Sequence, residues 1–292
     1  MRLATIKHKN REVASILLEK GAVPIEAVNN TCQKNWPVDM LEIIQSEKVE
    51  EINDWYKNGG HRTLATLEKD VIPKDQIAFA PLVRRPRKIW GIGLNYKAHA
   101  ADLSEKAPSA EPASFMKPDT AIIGDQDAIK IPTLSEKTTG EAELGIVFGK
   151  QCRHVSQENW QSVICGFIAI IDMTAEDILR RNPRNLTQSK SFDTFISLGA
   201  VLVTPDEVPD VNRLKVKTVI NGKVHAENRV SNMTFPPDFL VAYHSNIMTQ
   251  LPGDILSSGT PGAVHIHEGD TIECQIEGFE TLRNPVVDLK TQ

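Results

Sequence analysis

Apolar and polar residues alternate along residues 270–278, DTIECQIEG, with Ile272, Cys274 and Ile276 set against Thr271, Glu273 and Gln275. A period of two puts the first set on one face of a β-strand and the second on the other. In LKVKTVINGKVHAE the pair Asn221-Gly222 accepts positive φ at both central positions of a two-residue turn, which predicts a hairpin. KIWGIGL predicts a short apolar strand. Helix-start signals fall between the strands: Ser156 before QENWQSVI, Thr174 before AEDILRR with Asp177 three residues on, and Pro236-Pro237 before DFLVAYHSNI. Strand signals outnumber helix signals and show no regular βαβ alternation, so the pattern predicts an α+β fold with a strand-rich core.

Residues 1–80 are polar with mixed periodicity and end in the proline-bearing stretch VIPKDQIAFAPLVRRPRK. This predicts a small N-terminal domain over 1–80 and a main unit over 81–292. The longest apolar run, 163–171, is too short to span a bilayer, and MRLATIKHKNREV scatters charges where a signal peptide needs an apolar stretch. A cytoplasmic protein with no membrane partner is expected. Cys32, Cys152, Cys165 and Cys274 are far apart with no CxxC pair, which fits reduced structural thiols rather than a disulfide framework or zinc site. The 33 basic residues form no block against 38 acidic ones, so no nucleic-acid partner is expected.

Within GEAELGIVFG, residues 140–149, Glu141 and Glu143 interrupt what is otherwise a buried strand. Alternation projects both to one side, about 6 to 7 Å apart, while Ala142, Leu144, Ile146 and Phe148 pack on the other. Two such charges repel unless a cation neutralises them, and hard divalent ions take carboxylate oxygens. Asp172, which closes the apolar run VICGFIAII, is the expected third ligand, because a bare carboxylate there is costly without a partner. An E-x-E pair alone is more often a solvent-facing pair.

GIGLNYKAHAADL, FMKP, GEAELGIVFGK, DMTAEDI, SKSFDTFISLGA and GDILSSGTPGAV occur in this order. From about residue 85 onward the chain thereby resembles the fumarylacetoacetate hydrolase family, and MRLAT is similar to the start of that family's small N-terminal domain. The resemblance implies a mixed β-roll core, a homodimer, and Mg²⁺ or Mn²⁺ on Glu141, Glu143 and Asp172. The metal's open positions would chelate a small 2-oxo or β-diketo acid through its carboxylate and adjacent carbonyl. It further implies that Lys190 pairs with an enolate oxygen, and that Lys117, Thr260 and the amides around Gly259 contact substrate. Tyr96 is implied near the substrate, in the core or in a lid.

His99 and Asp102, at i and i+3 in NYKAHAADL, share a helix face, and a carboxylate that orients an imidazole makes a general base for water. Relatives carry a histidine–glutamate pair on a lid here, one methylene longer. Where many relatives have arginine and glutamine after the metal aspartate, this chain has Glu176 and Leu179. An acid in place of a carboxylate-clamping arginine predicts weak binding of dicarboxylates. His265 and His267, beside a turn, read as solvated. The expected activity is hydrolysis of a C–C bond in acylpyruvate-like β-diketo acids. The alternatives are oxaloacetate decarboxylation, a 2-oxo-acid isomerase or hydratase, and a non-catalytic metabolite-binding protein.

Overall fold

The first two strands, β1 (Arg2–His8) and β2 (Arg11–Leu18), are joined through Lys9 and Asn10, both at positive φ (49° and 61°). Such a turn matches the twist of an antiparallel hairpin, and the register runs from Leu3↔Ile16 to His8↔Arg11. The computed structural model describes residues 1–97 and 110–291. After β3 (Gly21–Pro24) come four short helices, α1 (Ile25–Cys32), α2 (Met40–Gln45), α3 (Lys48–Trp55) and α4 (His61–Thr66), and then β4 (Ile72–Pro73). Asp39 caps α2 by accepting the Glu42 N–H at 2.9 Å.

The main unit contributes β5 (Ile89–Gly93), β6 (Ala113–Met116), β7 (Ile122–Ile123), β8 (Ile129–Ile131) and two long strands, β9 (Thr138–Phe148) and β10 (Ile164–Ala175). Short helices α5 (Glu176–Arg181) and α6 (Leu186–Lys190) lead to β11 (Ile196–Leu198) and β12 (Val201–Val203). The hairpin β13 (Lys215–Ile220) and β14 (Lys223–Arg229) turns at Asn221 and Gly222, both at positive φ as the sequence predicts. Helix α7 (Pro237–Ile247) precedes β15 (Ile255–Ser257), β16 (Ala263–His265), β17 (Thr271–Ile276) and β18 (Leu282–Asp288).

The strands form two sheets. One runs in the order β4-β3-β2-β1-β12-β10-β9-β15-β5-β6, with β11 and β16 attached beside β10 and β9, and β7 beside β11. The other is β14-β13-β17-β18-β8. This is the α+β, strand-rich architecture that the periodicity predicts. Ile272 of the second sheet lies against Gly140, where a Cβ would stand 2.3 Å from the Ile272 Cδ1. Gly140 and Ala142 therefore leave room for the second sheet on the back of β9, opposite the glutamate face. β1 pairs with β12 through Arg2↔Val203 to Ala4↔Val201. We propose that a boundary near residue 80 separates two units that share this sheet.

Two expected helix caps are corrected. Ser156 stands before a 3₁₀ segment, Gln157–Val163, and makes no side-chain cap bond. Thr174 is still inside β10, and Ala175 is the residue that precedes α5. Among the described residues no helix is long and apolar enough to cross a membrane.

Candidate active site

Antiparallel pairing sets Asp172 of β10 directly opposite Glu141 of β9, and Ile170 opposite Glu143. Opposed residues share a face with Cβ atoms about 5 Å apart, and alternation adds Glu143 to that face. Oxygens of the three carboxylates all lie within 4.8 Å of one another. β10 does not end with the apolar run that Asp172 closes: it continues to Ala175, and pairing with β9 brings Asp172 to the glutamates.

Two lysines reach the cluster from other elements. Lys190, the last residue of α6, donates to Asp172 Oδ2 at 2.7 Å and to Glu141 Oε2 at 3.1 Å. Lys117, just after β6, donates to Asp172 Oδ1 and to the Met173 carbonyl at 3.1 Å. Both are buried, and the Phe115 ring centroid lies 4.7 Å from Lys190 Nζ, a face that tolerates a cation. Glu143 is held differently. Ser257 Oγ donates to its Oε2 at 2.6 Å and the Gly259 N–H to the same oxygen at 2.7 Å. Gly259 has φ +96°, and a Cβ there would stand 2.7 Å from the Asn95 Cβ, so a side chain would displace the amide that faces Glu143. Thr174 Oγ1 donates to Glu141 Oε1 at 2.7 Å, with Thr139 Oγ1 at 3.4 Å.

The charges are unevenly matched. Burial, then the neighbouring charges of Asp172 and Glu141, push the Glu143 carboxyl up to about 8. Burial alone would also raise Asp172, but Lys117 and Lys190 hold it below the ordinary carboxylate range. Burial opposes the Lys190 charge, yet Asp172 and Glu141 raise its pKa above that of free lysine. For Lys117 burial wins over Asp172 and lowers the ammonium to about 8.

Glu141 and Asp172 balance the two ammonium groups, and it is ionisation of Glu143, which burial and its acidic neighbours oppose, that would leave one negative charge in a buried site. Both hydrogen bonds of Glu143 fall on Oε2, so its Oε1 has no hydrogen-bond partner among the described residues. A divalent ion fits this arrangement: hard oxygen donors converge, one stays open, and the excess is negative. Glu141, Glu143 and Asp172 would hold it, and an added monoanionic carboxylate would bring the site to neutrality.

Residues 88–287 match the family described as Fumarylacetoacetate (FAA) hydrolase C-terminal. The chain belongs to the fumarylacetoacetate hydrolase family. It is 30% identical over 295 residues to oxaloacetate tautomerase Fahd2a, mitochondrial, of Rattus norvegicus, covering 98% of this chain and 92% of that protein. Among solved structures, 5-carboxymethyl-2-hydroxymuconate delta-isomerase from Mycobacterium smegmatis matches with a TM-score of 0.76 at 28% identity over 99% of each chain. Maleylpyruvate hydrolase from Sphingobium sp. SYK-6, in complex with manganese(II) and pyruvate, matches with a TM-score of 0.77 at 26% identity, again over 99% of each chain.

The other residues singled out in the sequence are placed as follows. His99 and Asp102, the expected base pair of this family member, lie outside the described residues. Tyr96 is fully buried and bridges to Met233; its hydroxyl has no hydrogen-bond partner among the described residues, and burial raises its pKa. The Gly259 amide, expected to meet a substrate carboxylate, is taken by Glu143. Thr260 is buried and its Oγ1 donates to the Gly262 carbonyl at 3.2 Å. Glu176 presents no free charge: it pairs with Lys137 at 2.8 Å and Arg180 at 2.6 Å. Sequence reasoning missed Ser257, Thr174 and Thr139 as carboxylate partners; Ser257 was within reach, since it lies in GDILSSGTPGAV two residues before Gly259, whereas Thr174 fits the pattern of a helix cap.

Proposed function

We propose that this chain is a divalent-metal-dependent enzyme that converts 2-oxo acids through their enolate, with proton transfer at the carbon beside the carbonyl, a tautomerisation, as its reaction. The observation that carries this reading is the pair of buried lysines, Lys117 and Lys190, converging on Asp172 within the three-carboxylate cluster. Enolisation places negative charge on the carbonyl oxygen, and a preset cation there costs no reorganisation. Lys190, bridging Asp172 and Glu141, is the ammonium placed to meet that oxygen. Lys117 keeps Asp172 ionised. Ser257 and Gly259 fix Glu143, and Thr174 fixes Glu141, so the carboxylates cannot rotate away. A bound divalent ion would supply Lewis-acid polarisation of the carbonyl. The likeness to an oxaloacetate tautomerase over nearly the whole chain supports the same reading.

A second reading, hydrolysis of acylpyruvate-like β-diketo acids, is favoured by NYKAHAADL, which offers His99 with Asp102 as a base for water. One experiment addresses both. With Mn²⁺ or Mg²⁺ present, NMR in D₂O should show exchange at C3 of oxaloacetate or another 2-oxo acid, lost on chelation. Absence of metal-dependent exchange for every member of a 2-oxo-acid panel would remove the first reading. If an acylpyruvate is cleaved, His99→Ala should slow that cleavage by about 10² to 10⁴ while C3 exchange continues; undiminished cleavage would remove the second.

A further inference from the structure

Along β16 and just past its end, Ala263, His265 and His267 alternate with the buried Val264 and Ile266. Alternation puts both imidazoles on one face of the strand. Read from sequence alone they are two solvated side chains beside a turn, but their ring centroids lie 4.1 Å apart, with the planes tilted by 49°. The backbone beneath them is pinned. β16 sets His265 opposite Thr139, and the Ile266 N–H donates to the Thr138 carbonyl at 3.1 Å. The turn that follows is closed by the Asp270 N–H on the His267 carbonyl at 3.1 Å, with Gly269 at φ +79°.

Asp270 fixes the outer ring. Its Oδ2 accepts the His267 backbone N–H at 2.8 Å and lies 3.4 Å from His267 Nδ1, while its Oδ1 accepts from Asn221 Nδ2 at 2.7 Å. A carboxylate facing Nδ1 holds the proton on that nitrogen and leaves the lone pair on Nε2. Carboxylates stand behind metal-bound imidazoles in this way, where they set the tautomer and raise the basicity of the ligand. His265 offers a lone pair for another reason. Burial, then the charges of His267 and Lys137, lower its pKa from the ordinary imidazole value against the pull of Glu176 and Asp270, so the ring is neutral at pH 7. The Lys137 ammonium is itself paired with Glu176 at 2.8 Å.

We propose that His265 and His267 form a second metal site, for a borderline divalent ion such as Zn²⁺, Ni²⁺ or Cu²⁺, with Asp270 as its positioning carboxylate and water completing the shell. Imidazole nitrogens suit these ions, whereas the oxygen-only set of Glu141, Glu143 and Asp172 suits Mg²⁺ or Mn²⁺. Two nitrogens each about 2 Å from one ion stand about 3 Å apart. Rings this close reach that separation by a small rotation of His267, the exposed partner. Thr139, opposite His265, is two residues along β9 from Glu141, so the two donor sets lie about 7 Å apart along one face of the sheet. Ions are thereby sorted by donor chemistry within a short stretch of the same ladder.

Zn²⁺ calorimetry on the native protein and on a His265→Gln, His267→Gln double variant tests this, with Cu²⁺ EPR to report the donor atoms. The double variant should bind one equivalent of Zn²⁺ fewer than the native protein, and the Cu²⁺ signal lost with it should carry splitting from two nitrogens. Mn²⁺ titration should give the same stoichiometry and affinity in both. Asp270→Asn should weaken the imidazole-bound equivalent by about 10- to 100-fold, and Asp270→Glu should recover part of that loss. Circular dichroism should show the native fold; if His265→Gln disturbs it, His267→Gln alone, at an exposed position, carries the comparison. An unchanged number of Zn²⁺ equivalents in the folded variant, or a Cu²⁺ signal with a single nitrogen, overturns the site. Loss of Mn²⁺ affinity in the variant would merge these imidazoles with the carboxylate cluster and overturn it equally.

Discussion

Two fully buried aspartates each sit against lysine, and they are satisfied in opposite ways. Asp254, just before β15, accepts the backbone N–H of Lys88 on Oδ1 at 2.9 Å and that of Leu251 on Oδ2 at 2.7 Å, while the Lys88 ammonium pairs with Oδ2. One negative charge meets one positive charge, and main-chain amides fill the remaining positions. Asp172 instead meets two side-chain ammonium groups and has two further carboxylates beside it. Amides bind Asp254 as part of the chain's own path, clasping the start of β5 to β15. Around Asp172 the side-chain partners are ionisable groups, and once Glu143 is ionised the charges do not cancel. A balanced buried pair is structure; an unbalanced cluster needs something from outside to complete it.

The sharpest way to break this contrast is Asp172→Asn. Metal-supported turnover should fall by about 10³-fold or more, and calorimetry should show Mn²⁺ binding lost; full Mn²⁺ affinity would mean that Asp172 is another Asp254. Lys190→Met comes next, with a barrier raised by about 3 to 4 kcal/mol as read from kcat/KM with the metal present, and near-native turnover would put the oxyanion elsewhere. Ser257→Ala should weaken Mn²⁺ binding by about 10- to 100-fold, because it frees Glu143 to rotate; unchanged affinity would show that Gly259 suffices. The smallest effect on activity belongs to the structural site. Asp254→Asn should lower stability by about 1 to 3 kcal/mol in denaturant melts while kcat and metal affinity stay native, and a loss of either would erase the distinction.

How far each region could be read from sequence follows the same division. Glu141, Glu143 and Asp172 are legible because a carboxylate inside an apolar strand is conspicuous, and the hairpin at Asn221-Gly222 because few residue pairs accept that turn. Asp254 is inconspicuous: an aspartate next to a glycine reads as a turn, and its burial depends on Lys88, 166 residues away. Helices α2 and α3 are six and eight residues long, too short for a helical period to emerge, so the first eighty residues read as merely polar and mixed. Thr174 shows a different limit. A threonine ahead of an acidic helical turn satisfies the capping pattern, and only the strand register reveals that its hydroxyl is spent on Glu141. The ion pair of Glu176 with Lys137 is equally hidden, since it depends on β9 and β10 lying side by side.

The pairing of β1 with β12 imposes an order on biosynthesis. The first strand leaves the ribosome with one edge unsatisfied and must wait for residues 201–203 before that edge is covered. Such a distant partner makes for slow closure and a period of exposure during which an apolar strand can recruit a wrong neighbour. The reactive cluster waits longer still, because Glu143 is not locked until Ser257 and Gly259 arrive. A nascent chain halted anywhere short of residue 259 would therefore carry the acidic residues without the clasp that organises them, so competence is acquired in a single late step rather than piecemeal.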